Sequence, residues 1–171
     1  TIPGTPPACG AKDYFETGHL VDFSRSLISV ATTSPTVMDV AEIKQFTLAL
    51  NGTNPWPVYD PVLTINTLGN YSLVGAVGDP TYPIVFSNFY TIDGTLVDTF
   101  APTQSGNQYS WTFGSDMRSG KNNDGSGPSP TITFYMRKGC DPAAKTWSAS
   151  LAYNDRSTDG SVVRARTASS T

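Results

Sequence analysis

The side chains able to do chemistry in this chain are few. His19 is the only histidine, and Glu16 and Glu42 are the only glutamates beside twelve aspartates. A Ser-His-Asp triad would have to be built on His19, with no Gly-x-Ser-x-Gly elbow to present the nucleophile; Gly125-Ser126-Gly127-Pro128 does not fit that pattern. Zinc needs several His or Cys ligands at suitable spacing. Glu16, His19 and Asp22 share the i, i+3, i+6 spacing of a helix face, but their segment reads as turn and strand. A glycoside hydrolase needs only two carboxylates, about 5–9.5 Å apart. Yet Asp79 and Asp141 precede prolines and Asp93 and Asp159 precede glycines, positions that turn chemistry already explains. No residue is therefore assigned as catalytic, and a small secreted hydrolase with a carboxylate pair is the enzymatic alternative.

Metal and ligand chemistry is better represented in the loops. Asn122-Asn123-Asp124-Gly125 and the run from Asn154 through Asp155 to Asp159-Gly160 each gather hard oxygen ligands in a turn. Calcium favours such ligands, but neither run has the full EF-hand spacing or its terminal Glu. Hence no cofactor is expected, with calcium at Asn122, Asp124, Asp155 and Asp159 as the one ion to consider. The segment 51–61 (NGTNPWPVYDP) holds Trp56 and Tyr59 among three prolines. Prolines pre-order a loop, and Tyr and Trp offer an apolar face with a polar edge, so Trp56 and Tyr59 are the expected ligand-binding residues.

The elements that must carry these loops read as strands. Apolar and polar residues alternate over 43–50, 62–66, 108–113 and 131–138, and further strands are expected at 19–24, 26–31, 71–77, 82–92, 96–100, 146–153 and 161–167. Asp93-Gly94 and Asp159-Gly160 are two-residue links of the kind that favour type I′ hairpins. Asp39-Val40-Ala41-Glu42 has the form of a capping box and predicts a short helical turn over 40–45. Residues 1–10, with Pro3, Pro6 and Pro7, are expected as an extended arm. With no helical pattern of ordinary length, the fold class is all-β: a two-sheet antiparallel β-sandwich, Ig-like or jelly-roll, with at most one or two short helical turns, over a single domain 1–171.

Composition agrees with that layout. Charged residues make up 15% of the chain and apolar ones 38%, so Ser, Thr, Gly, Pro and Asn dominate, as short strands with many turns require. The net charge of −3 argues against a nucleic-acid partner. Its distribution is uneven: residues 1–100 hold three bases and nine acids, whereas 101–171 hold eight bases and five acids. Arg137, Lys138, Lys145, Arg164 and Arg166 fall on the C-terminal strands, where edge protection accounts for them. No apolar run is long enough for a membrane span. The start at Thr1-Ile2-Pro3-Gly4, without Met, reads as a processed or artificially set N-terminus.

Cys9 and Cys140 are expected to pair, closing a long loop worth roughly 5 kcal/mol in the chain-entropy model. Asn51-Gly52-Thr53 and Asn70-Tyr71-Ser72 are N-glycosylation sequons. The chain reproduces no family's motifs, and it resembles extracellular adhesin and lectin-like sandwiches at the level of fold alone. The expectation is a secreted or cell-surface, non-catalytic recognition module, an adhesin or carbohydrate-binding domain with a glycan or cell-surface protein as its ligand. A structural subunit of a filament or coat, self-associating by strand addition, is the other alternative.

Overall fold

A computed structural model describes residues 28–52, 58–97, 101–114, 116–118, 127–156 and 163–170. Among them there is no helix. The strands are β1 (Ile28–Thr33), β2 (Ile43–Gly52), β3 (Tyr59–Asn66), β4 (Tyr71–Val74), β5 (Val85–Ser87), β6 (Tyr90–Thr91), β7 (Thr103–Ser105), β8 (Gln108–Thr112), β9 (Met117–Arg118), β10 (Thr131–Lys138), β11 (Ser148–Arg156) and β12 (Val163–Ser169). One sheet runs β1-β2-β10-β4, with β5 also on β10; the other runs β12-β11-β3-β8-β7, and β6-β9 form a short ribbon. The strand ladders in all three are antiparallel. The two-sheet sandwich expected from the alternation is what forms.

Period-two alternation builds the core. β2 turns Phe46, Leu48 and Leu50 inward, β10 turns Ile132, Phe134 and Met136, and β3, β8 and β11 answer with Leu63, Ile65, Trp111, Ala149 and Leu151. Towards one end Phe46 stacks on Phe134 at 6.0 Å, and Trp147 meets both rings edge-on at 5.7 and 5.5 Å. Towards the other, Phe89 stacks on Phe113 at 5.5 Å and Phe86 meets Trp111 edge-on at 6.0 Å.

Three polar contacts close the margins. Asp155 is buried and takes the Arg166 Nε at 3.0 Å, pinning edge strand β12 to β11. The Ile28 amide donates to the Tyr153 hydroxyl at 3.2 Å, tying β1 to the opposite sheet. The buried Lys138 Nζ donates to the Met38 and Pro142 carbonyls at 2.8 and 3.1 Å.

The outward faces are nearly free of charge. Across the second sheet, Ser169, Ser150, Thr64, Ser110 and Thr103 stand opposite one another in a single row over five strands. Across the first, Thr33, Thr47, Thr133 and Val85 form the corresponding row.

Several sequence expectations are corrected. The capping-box segment is a turn rather than a helix. Glu42 does reach back to the Asp39 amide at 2.7 Å, but Ala41 takes φ 61° and the chain enters β2 at once. Residues 82–92 are not one strand: Asn88 at φ 63° breaks the run, and the chain passes from β5 to β6. The 51–61 loop is shorter than expected, because β3 begins at Tyr59. Cys140 is exposed and unbridged, so the expected disulfide is not seen; Cys9 lies outside the described residues. Residues 1–10 and 19–24, the strand 96–100 beyond Val97, and Asp159-Gly160 also lie outside them.

Phe134 is fully buried between Phe46 and Trp147. Phe134→Ala is expected to cost about 3–5 kcal/mol, read in urea as a lower midpoint with an unchanged slope.

Candidate functional site

A concavity among the described residues lies at the end of the sandwich where β3 begins and β8 ends. It is an open cleft of about 590 Å³ lined by Asp60, Thr91, Ile92, Asp93, Thr95, Phe113, Gly114 and Asp116. Each wall has a local cause. The pairing of β3 with β11 shifts register between Ala152 and Asn154, opposite Tyr59, and the next residue, Asp60, takes φ 50°. Left-handed conformations are costly for a non-glycine residue and persist where surrounding contacts fix them. Here the Asp60 amide donates to Asp116 Oδ1 at 3.2 Å, and Asp60 Oδ2 accepts from Asn154 Nδ2 at 2.9 Å.

The opposite wall is the turn after β6. The Thr91 amide donates to the Thr95 carbonyl and the Gly94 amide to the Thr91 carbonyl, each at 2.9 Å. Gly94 takes φ 91° while Asp93 keeps a negative φ, so the Asp93-Gly94 link turns the chain without the type I′ geometry expected of it. Asp93 Oδ1 accepts from the Thr91 hydroxyl and from the Thr95 amide, the latter at 3.2 Å. These donors, the Thr91 hydroxyl first, hold the Asp93 carboxyl below its ordinary value of 3.8. Ile92, which is exposed, and Phe113, which is buried, are the apolar residues of the lining.

Tyr59, the neighbour of the lining residue Asp60, is half-buried, with the Arg156 guanidinium over its ring at 4.0 Å. Arg156 also approaches Asp60 Oδ2 at 3.7 Å. Thus one of the two expected ligand-binding residues adjoins the cleft, and the other, Trp56, lies outside the described residues. Asp60, Asp93 and Asp116 were not singled out from sequence as a group, being brought together only by the fold. The one local signal was the pair of threonines, Thr91 and Thr95, bracketing Asp93-Gly94.

The remaining expected sites are dispersed. Asn51 is exposed at the end of β2, opposite Ser29 of β1. Asn70 donates its side-chain amide to the Thr146 carbonyl at 2.9 Å, through the nitrogen that would carry a glycan. Asp155 faces inward on Arg166, so that oxygen is engaged by a guanidinium rather than offered to calcium. Asn122, Asp124 and Asp159 lie outside the described residues, as do Glu16, His19 and Asp22. Among the described residues no group of three His, Cys, Asp or Glu side chains could hold a metal ion, and no helix is long and apolar enough to cross a membrane. Arg166 is a structural partner and Lys138 is buried, so the C-terminal bases do not form one exposed cationic strip.

No family model and no curated protein matches the chain. Among solved structures it is similar to the full-length major pilin SpaD of Corynebacterium diphtheriae, at 12% identity over 84% of this chain with a TM-score of 0.49. It spans only 33% of that pilin. It is also similar to a cohesin module from a Clostridium perfringens family 33 glycoside hydrolase, at 8% identity and a TM-score of 0.42, covering 85% of this chain and 98% of the module. A third is ACE19, the collagen-binding subdomain of the Enterococcus faecalis surface protein ACE, at 11% identity and a TM-score of 0.38, covering 81% of this chain and 98% of that one. At such values no residue role passes from them to this chain.

Because the Asp93 carboxyl is depressed, its contribution to the turn is present above its ordinary pKa and is lost as pH falls through the folded value. Carbon-detected NMR titration is expected to place its midpoint below 3.8, and Thr91→Val to move it upward.

Proposed function

We propose that this domain is a secreted or cell-surface recognition module of adhesin or carbohydrate-binding type, and that it takes a glycan in the cleft beside Tyr59. The observation that carries this reading is the lining itself. Asp60, Asp93 and Asp116, with Thr91 and Thr95, share one open concavity with the exposed apolar residue Ile92. Sugar hydroxyls need fixed acceptors and donors, and pyranose rings need an apolar surface. Strand ends and a hydrogen-bonded turn hold these groups in place, which lowers the ordering cost of binding.

The glycosidase alternative fits less well. A general acid must hold a proton, usually through a raised pKa. Asp93 instead accepts from Thr91 and Thr95, which favours its charged form.

A filament or coat subunit is the second reading, favoured by β12. This edge strand of seven residues contains no proline, and among the described residues no strand pairs with its outer side. An open edge without proline can accept an added strand, and Arg164 is the edge charge that such a strand would have to accommodate. Sedimentation of the intact chain and of a variant lacking residues 1–8 tests it: assembly that depends on the arm supports strand addition, and a monomer in both cases removes it.

For the recognition reading, a glycan array should give a positive ligand. Asp93→Ala and Asp116→Ala are each expected to weaken it about 10–100-fold, the worth of one hydrogen bond to a charged group. Undiminished binding in both variants would sink the cleft assignment, and steady release of reducing ends would replace it with hydrolysis.

A further inference from the structure

The outward face of the first sheet carries an aromatic pair of its own. There the Tyr82 and Tyr135 rings lie 5.4 Å apart at 60°, both half-buried. The Tyr135 hydroxyl donates to Gln45 Oε1 at 3.2 Å, so an exposed side-chain amide is fixed beside the rings. Thr47 and Thr133, opposite one another on β2 and β10, occupy the next outward positions. Val85 continues that row and is 44% exposed.

The loop that delivers Tyr82 has little freedom. Asp79 Oδ1 accepts from the Thr81 and Tyr82 amides, both at 2.8 Å, and the Asp79 and Ile84 amides both donate to the Ala76 carbonyl. Gly75, at φ 81°, lies so close that a Cβ there would meet the Tyr82 carbonyl oxygen at 1.9 Å. Pro80 and Pro83 limit the backbone around Tyr82, and Ile84 is buried beneath it. An aromatic pair this well braced, yet left half-open to solvent, exceeds what the core requires. Its rings contribute to neither aromatic cluster between the sheets.

We infer that Tyr82, Tyr135 and Gln45, flanked by Thr47 and Thr133, form a binding site for a neutral polysaccharide chain lying along the first sheet. The inference rests on the recognition reading above and adds a site to it. Two rings at 60° offer faces for sugar C–H surfaces, and the amide and threonine hydroxyls offer exchangeable donors and acceptors. Charge selects the class of chain. Gln45, Thr47, Thr133, Val74 and Val85 are uncharged, and the nearest outward charge on β10 is Arg137, two residues beyond Tyr135. An anionic polymer would find one cation there, and the one acid beside the rings, Asp79, has its Oδ1 taken by the Thr81 and Tyr82 amides.

Affinity electrophoresis tests the site with a xylan, a mixed-linkage β-glucan, a galactomannan and a soluble starch, and with polygalacturonate as the anionic control. Retardation by at least one neutral polymer is expected, weakened about tenfold or more in Tyr82→Ala and in Gln45→Ala. Tyr82→Phe should keep the retardation, because stacking needs the ring and not the hydroxyl. Thr47→Arg, which leaves both tyrosines and the loop intact, should abolish it by placing a charged chain on the face. If Asp116→Ala removes retardation while Gln45→Ala and Thr47→Arg leave it unchanged, this site is overturned and the cleft reading stands. If the reverse holds, this site stands and the cleft assignment falls. Retardation by polygalacturonate alone overturns the neutral ligand, and no retardation by any polymer overturns both readings.

Discussion

Phe46, Phe134 and Trp147 meet between the sheets, and the positions of the strands around them follow from that contact. Phe46 and Phe134 come from neighbouring strands of one sheet, and Trp147 comes from the segment entering the other. Aromatic rings bury large areas and favour stacked or edge-on geometry, so they fix the angle and spacing of two layers more tightly than aliphatic packing does. The Trp147 indole also donates to the Ser34 hydroxyl at 2.7 Å, which holds the chain between β1 and β2 over that end. Tyr71 packs edge-on to Phe46 and donates its hydroxyl to the Lys145 carbonyl, drawing β4 into the same contact.

Irregular backbone occurs at both ends, with Ala41 and Leu68 at positive φ beside this one. Asp60 and Asn88 adopt left-handed conformations at the other, and the β6-β9 ribbon stands apart from both main sheets. The second aromatic group, around Phe89 and Phe113, lies beneath these segments and supports them. Strain next to a firm base is the usual setting for a binding surface carried by loops. The cleft and Tyr59 therefore occur where departures from regular pairing are tolerated.

The sandwich was readable in the sequence because alternation is a local property: β2, β10 and β11 follow directly from their apolar positions. Short strands were not readable. β7 contains only Thr103, Gln104 and Ser105, all exposed, and β9 lies within what reads as a polar loop. At Asp39–Glu42 the local capping signal is expressed, since Glu42 bonds back to Asp39, yet pairing of the following residues with β10 decides the backbone. The cleft was not legible: Tyr59 precedes its lining residue Asp60 but is not itself part of the lining. Asp60, Asp93 and Asp116 are far apart in sequence, and the bulge and turn that join them depend on pairing across the fold. Tyr82 carries the same signal as Trp56, an aromatic residue closely followed by proline within a turn-rich segment, but the surrounding run 82–92 reads as strand.

The row of Ser169, Ser150, Thr64, Ser110 and Thr103 bears on how quickly, rather than how tightly, anything meets this surface. Long-range attraction between charges accelerates and orients diffusional encounter, and that acceleration fades with added salt. A face of hydroxyls and methyl groups exerts almost no such pull. Approach to it proceeds without electrostatic guidance, at about 10⁵–10⁷ M⁻¹ s⁻¹ for a protein-sized partner. Selection at such a row then takes place after contact, through the lifetime of the complex.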